Sequence, residues 1–465
     1  MLQPTYDDLA ALVVAQAAEI ARLKVRVLEL EAQLKTNSRN SSKPPSSDGL
    51  AKPAPKSLRR KSGRKPGGQA GHPGSTLAQV ADPDEVVRHE PGACGGCGAG
   101  LADAVQVGVE RRQVFDLPPI SVRVTEHQVV TRRCRCGQVS CGAAPDGVIA
   151  PVQYGSQITA IILYLYMGQF LSKKRTAQAL AELFGTPVSE GTVAAVTRRA
   201  SGGLTGFLEL VRGRIAEAPV AHFDETGFRV AGKLHWVHSA STGKYSLITV
   251  HRRRGVKGMD HAGVLSGFAG VAVHDAWAPY DTYTQVTHAL CNSHLLRELQ
   301  AVADLAPTGQ PWCWATQAAD ALLELKELVE AAIQAGRPAI DAALAAEQTQ
   351  LLRSAVRLGV RQNQARSSKT MARHHALARR ILDRYDDYLR FTTDFRIPFD
   401  NNAAEREIRM VKLRQKVSGC ARTLTGARQF TAIRSYLATA AKHGTTFFHA
   451  LVQLAEGRPW LPATQ

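Results

Sequence analysis

The sequence predicts a multidomain α+β protein: an α/β core interrupted by an all-helical insertion, preceded by a coiled coil, a cysteine-bearing module and a helical region. Three observations carry this reading. At 465 residues the chain holds two to four domains, since a domain typically takes about 100–200 residues. Period-two alternation over residues 219–275 gives way elsewhere to helical periodicity. Five of the eight cysteines fall between positions 94 and 141 in paired spacing. A hydrophobic content of 44% excludes wholesale disorder.

The net charge of +18 points to polyanions, either nucleic acid or an anionic membrane surface. The longest apolar run, residues 158–167, reaches only ten residues, about half of a bilayer span. The N-terminus shows no positive region leading into an apolar one, so no secretory signal is expected. The expectation is therefore a cytoplasmic nucleic-acid-binding protein with no membrane partner. The charge is also localised. Residues 35–65 carry ten basic residues against one acid, and residues 406–434 carry eight against one.

Residues 1–36 read as a coiled-coil helix. Val13, Ile20, Val27 and Leu34 fall at one seam position, and Leu9, Gln16, Leu23 and Leu30 at the other. β-Branched residues at a with Leu at d favour a parallel two-stranded assembly; the alternative is one amphipathic helix packed on its own domain. Residues 37–90 read as a basic disordered linker, because a Ser- and Pro-rich stretch without aromatics in residues 35–65 cannot bury enough apolar surface. Arg59, Arg60 and Lys61 are its candidate DNA contacts, and a plain solvated linker is the competing reading.

Residues 91–147 read as a zinc-ribbon-like module. Cys94-Gly-Gly-Cys97 has the spacing of a zinc knuckle, and Cys134-Arg-Cys136 offers the second pair, with Cys141 as the alternative ligand. Close thiolates repel unless a cation such as Zn²⁺ neutralises them. Alternation over residues 106–115 and 121–130 predicts two strands between the knuckles. Residues 150–212 read as helical, and segments 175–184 and 189–200 have helix-turn-helix proportions, with Gly185 in the turn and Ser189 as N-cap.

The core signal lies in residues 218–306. A short apolar run ends in Asp224, two alternating runs meet at a Thr242-Gly243 turn, a short helical stretch spans 260–268, and a second apolar run ends in Asp275. Strand, strand, strand, helix, strand is the order of an RNase H-like fold. In that fold the first and fourth strands are neighbours, so the two aspartates face each other. A third carboxylate is expected from a later helix, and Asp400-Asn-Asn-Ala-Ala-Glu405 opens one. Grouped carboxylates raise one another's pKa unless divalent cations neutralise them. All-oxygen ligands favour Mg²⁺ or Mn²⁺, and two such ions can drive an in-line phosphoryl displacement.

The segments HFDETGFRV, HDAWAPY, CNSHLLREL, DNNAAEREIRMVK and SGCARTLTGARQFTAIRSYLATAAKHG, with NSSKPPSSD at residues 40–48, together resemble the insertion sequence 66 family of bacterial transposases. The resemblance covers nearly the whole chain. It implies that Asp224, Asp275 and Glu405 are Asp-Asp-Glu metal ligands and that Lys412 lies near the DNA end, with Arg409 on the same helical face a candidate phosphate contact. Residues 307–392 then resemble the family's helical insertion, residues 393–445 complete the core, and 446–465 form a tail. Two departures stand out: the C-x-C at 134–136, which leaves the zinc ligands open, and Pro279, which touches no ligand.

Two features near the insertion admit a plainer reading. Cys291-x-x-His294 resembles a family element, but a buried Cys with a capping or DNA-facing His suffices to explain it. Trp312 and Trp314 suit base stacking or, more simply, a core. The function expected is a DNA transposase that binds double-stranded DNA, namely its element's ends and target DNA. It would act as a homodimer or higher oligomer, with accessory proteins encoded beside it. A structure-specific nuclease and a non-catalytic DNA-binding regulator are the rivals.

Overall fold

The computed structural model describes residues 5–35, 77–118, 120–306 and 313–463. Arg59, Arg60, Lys61 and Trp312 lie outside them. Helix α1 spans Tyr6–Lys35, and its expected seam residues Leu9, Val13, Ile20, Leu23, Val27 and Leu30 are all exposed in the single chain. Two short antiparallel strands follow, β1 (Thr131–Arg133) and β2 (Val139–Cys141), with Thr131 opposite Cys141. The strands expected over residues 106–115 and 121–130 are not formed. Val107, Val114 and Val124 are exposed, so the alternation has no covered face to pack, and alternation without one does not fix a sheet.

Helices α2 (Ser156–Leu163), α3 (Lys173–Phe184), α4 (Glu190–Gly202) and α5 (Thr205–Ala216) come next, with a π-helical turn extending α2 to Gly168. Gly185 stops α3 in the left-handed conformation, at φ 59°. The Ser189 hydroxyl caps α4 by accepting from the Thr192 amide at 3.0 Å. Val193, Val196, Thr197 and Ala200 are the buried face of α4.

The central sheet contains β3 (Val220–Val230), β4 (Lys233–Ser241), β5 (Ser246–His251), β6 (Val271–His274) and β7 (Thr287–Leu290), with helix α6 (Val256–Ala262) leading back from β5. Its order is β5-β4-β3-β6-β7. The β3–β4 and β4–β5 pairs are antiparallel, whereas β6 runs parallel to β3 and β7. First and fourth strands are therefore neighbours, as expected. The first strand differs in one respect: it does not end at Asp224 but continues to Val230 in a hairpin with β4. Ala231 and Gly232, both at positive φ, make the tight turn that allows this. The parallel pairing covers only Val220–His222, so Asp224 lies just beyond it.

After α7 (Asn292–Ala303), helices α8 (Trp314–Gln334), α9 (Ala342–Gln362), α10 (Lys369–Asp383) and α11 (Tyr385–Leu389) form a separate apolar core with β7 and α7. Trp314 belongs to that core at 3% exposure. Three helices close the chain: α12 (Asn402–Ser418), α13 (Leu424–Lys442) and α14 (Phe447–Ala455). Ser435 and Thr439 of α13 accept from the Ile248 and Ser246 amides at 2.8 and 3.0 Å, satisfying the free side of edge strand β5. Among the described residues, no helix is long and apolar enough to cross a membrane.

Candidate active site

Asp224 and Asp275 are each oriented by a backbone amide. The Glu225 amide donates to Asp224 Oδ1 at 2.8 Å, and the Trp277 amide donates to Asp275 Oδ1 at 3.1 Å. The third carboxylate arrives with α12, whose start is fixed by Asn401, a residue 1% exposed. Asn401 Nδ2 donates to the Phe223 carbonyl at 2.7 Å, its Oδ1 accepts from His222 Nδ1 at 2.9 Å, and its amide donates to Cys291 Sγ at 3.2 Å. Glu405 sits in the first turn of α12, its amide bonded to the Asn401 carbonyl at 3.2 Å. One buried residue thus ties the Glu405 helix to the Asp224 strand through its side chain and to the start of α7 through its backbone amide.

The three carboxylates feel one another. Burial, with the charges of Glu225, Asp275 and Glu405, pushes the Asp224 carboxyl well above the usual range. Burial also raises Asp275 and Glu405, with Arg297 opposing the rise at Glu405. Glu225 is pushed up to about 7 by burial and Asp275, against the pull of Arg254 and Tyr280. Carboxylate oxygens are the donor type a hard divalent cation takes, but the donor atoms of Asp224, Asp275 and Glu405 do not all come within 4.8 Å of one another.

Glu405 itself leans toward α7. Its Oε1 lies 3.5 Å from Arg297 Nη2 and 3.9 Å from His294 Nε2. Burial and Arg297 push the His294 pKa down to about 3, so the imidazole is neutral and this approach is not an ion pair. Among the described residues, Cys291, His294 and Glu405 are the group of three potential metal ligands whose donor atoms lie within 4.8 Å of one another. Cys291 is buried at the N-cap of α7, and burial pushes its thiol up to about 12. The buried-Cys reading holds, whereas His294 turns toward the carboxylate site. Sequence reading singled out His294 without placing it beside the carboxylates, and it missed Arg297 and Asn401 as site residues. The three-residue spacing of His294 and Arg297, which puts both on one face of α7, was the available signal.

Arg409 is exposed on α12, while Lys412 is half-buried. Lys412 Nζ donates to the Gly227 carbonyl at 2.9 Å, and burial lowers its pKa. Lys412 therefore helps dock α12 against β3.

The two cysteine turns are closed in a similar way but differ in length by one residue. Cys94 donates its amide to the Ala99 carbonyl at 2.8 Å and accepts from Gly98 at 2.9 Å; Cys134 does the same with Gln138 and Gly137 at 2.8 and 2.9 Å. Gly98 and Gly137 both adopt positive φ, 77° and 89°. Hydrogen bonds within each turn lower the Cys94 and Cys134 thiols. Cys141 instead lies on β2, its Sγ accepting from Thr131 Oγ1 at 3.2 Å. The two turns are formed locally, but no three of these five thiols come together as a ligand group.

Comparison with known families gave three matches. Residues 3–78 match a family of unknown function, residues 91–137 match the zinc-finger binding domain of transposase IS66, and residues 151–429 match the transposase IS66 family. A search of curated proteins gave no match. The third match spans more than half of the chain and contains the three carboxylates, and the chain belongs to the IS66 family of transposases.

Proposed function

We propose that the protein binds the ends of its own insertion sequence in the cytoplasm, cleaves there and joins the 3′-hydroxyls to target DNA. Asp224, Asp275 and Glu405 are the metal ligands of this reading. The observation that carries it is their placement: Asp224 lies just beyond the parallel pairing of β3 with β6, Asp275 directly follows β6, and Glu405 is in the first turn of α12, which Asn401 ties to β3. The sheet order with its parallel β3–β6 pair supports an RNase H-like core for residues 218–306 and 393–445. Two Mg²⁺ or Mn²⁺ ions held by these carboxylates would supply activation of the attacking hydroxyl and neutralisation of the leaving oxygen. The chain's own part is to hold the carboxylates: amides orient Asp224 and Asp275, Asn401 sets the start of α12, and Arg297 balances Glu405.

The remaining roles follow from charge and donor chemistry. Cys94, Cys97, Cys134 and Cys136 are the zinc ligands of this reading, since four thiolates suit a structural Zn²⁺ and the zinc-finger match ends at residue 137, short of Cys141. The exposed Arg409 contacts phosphate, as do Arg59, Arg60 and Lys61 of the basic tract, and α3–α4 take part in end recognition. The exposed seam of α1 pairs two protomers. The test is strand transfer on pre-cut ends with free 3′-hydroxyls. Asp224→Asn, Asp275→Asn and Glu405→Gln are expected to abolish joining while leaving end binding nearly unchanged. Wild-type joining by any of the three would refute the site.

A further inference from the structure

The two aspartates share a support beyond their backbone amides. The residue that donates to Asp224 is Glu225, and the residue that donates to Asp275 is Trp277. The side chains of both rest on Arg254, which follows β5. Arg254 Nη2 and Nε donate to Glu225 Oε1 at 2.6 and 2.9 Å. Its guanidinium carbon lies 3.8 Å from the Trp277 ring centre and 5.0 Å from that of Trp236. The other Glu225 oxygen accepts from the Tyr280 hydroxyl at 2.8 Å, three residues beyond Trp277. The Glu225 side chain is 1% exposed, so removing the guanidinium leaves a buried carboxylate without its partner.

We infer that Arg254 is a positioning residue that locks the Asp224 strand and the Asp275 loop together, setting the spacing of the two aspartates for a divalent cation. It touches neither aspartate in the hydrogen-bond network and acts through Glu225 and Trp277. The inference rests on the metal reading of Asp224 and Asp275. A planar fork that also stacks on an indole is a property of arginine that lysine lacks.

The measurement is Mn²⁺ affinity of the full chain by titration calorimetry without DNA, alongside thermal melting and Trp fluorescence. Arg254→Ala strands a buried Glu225, so Arg254→Lys and the paired variant Glu225→Gln/Arg254→Met are measured with it. Loss of such outer support typically weakens metal binding about 10-fold or more. That loss is expected in both variants with a near-wild-type melt, and with a fluorescence shift from Trp277. Wild-type Mn²⁺ affinity in either variant, with Asp224→Asn losing it, overturns the inference alone. Wild-type affinity in Asp224→Asn overturns the metal reading and takes the inference with it.

Discussion

Asn401 donates its side-chain amide to the carbonyl of Phe223 at 2.7 Å, across 178 positions of sequence. Phe223 precedes Asp224, and Asn401 precedes Glu405 by one helical turn, so this bond sets where α12 meets the sheet. Asn401→Ala leaves the Phe223 carbonyl and His222 Nδ1 buried without partners. Each unsatisfied buried group costs roughly 1–3 kcal/mol. Urea unfolding is expected to show a loss of that order, and strand transfer should fall with it. A variant as stable as wild type would mean that α12 is held by its apolar face alone.

How much of this was legible beforehand depended on whether the signal was local. Alternation marked β4 and β5, and the apolar runs marked β3 and β6, because each strand carries its own period. The same alternation misled over residues 106–130, where no sheet face covers the valines. Ser189 was readable as a cap because capping acts within three residues. Asn401 was not readable, since its partners Phe223, His222 and Cys291 meet it only after folding. Arg254 was hidden likewise in a basic run that reads as solvated surface.

A second expectation concerns the insertion. A Cβ built on Gly359 of α9 would lie 2.5 Å from the Trp314 ring, so the helices approach closely only because the side chain is absent. Trp314 is buried and cannot swing out without opening the core. Overpacking of this kind typically costs about 1–3 kcal/mol. Gly359→Ala is expected to lower the denaturant midpoint accordingly, against the usual gain from replacing a helical glycine. A rise in the midpoint would show that α8 and α9 slide apart freely.

pH should act through His238. Burial pushes its pKa down to about 4, with His251, His261 and Arg254 opposing its protonation further and the Arg253 carbonyl alone favouring it. Its Nε2 lies 3.2 Å from that carbonyl, and its register partner on β3 is Glu225. Between the unfolded pKa of roughly 6.5 and the folded one, the unfolded chain binds the proton and the folded chain does not. Stability is therefore lost as pH falls through that window, by roughly 1.4 kcal/mol per unit from this group. His238→Gln is expected to shrink its stability difference from wild type by roughly 2 kcal/mol between pH 6.5 and 5. A difference that stays constant over this range would assign acid sensitivity to other histidines.

The last expectation decides between Cys136 and Cys141. The Cys134–Cys136 turn is one residue shorter than the Cys94–Cys97 turn, but each has a pair of hydrogen bonds on its first cysteine and a positive-φ glycine directly after its second. Cys141 is fixed on β2 opposite Thr131, whose hydroxyl already donates to its sulfur. A structural zinc takes four ligands, and losing one thiolate removes both a bond and a charge. Zinc content per chain, measured after exhaustive dialysis, should stay near one in Cys141→Ser and fall toward zero in Cys136→Ser and Cys94→Ser. End binding should fall with the metal, while strand-transfer chemistry on pre-cut ends held at high DNA concentration should be less affected. Retention of zinc by Cys136→Ser together with its loss from Cys141→Ser would move the fourth ligand onto the strand.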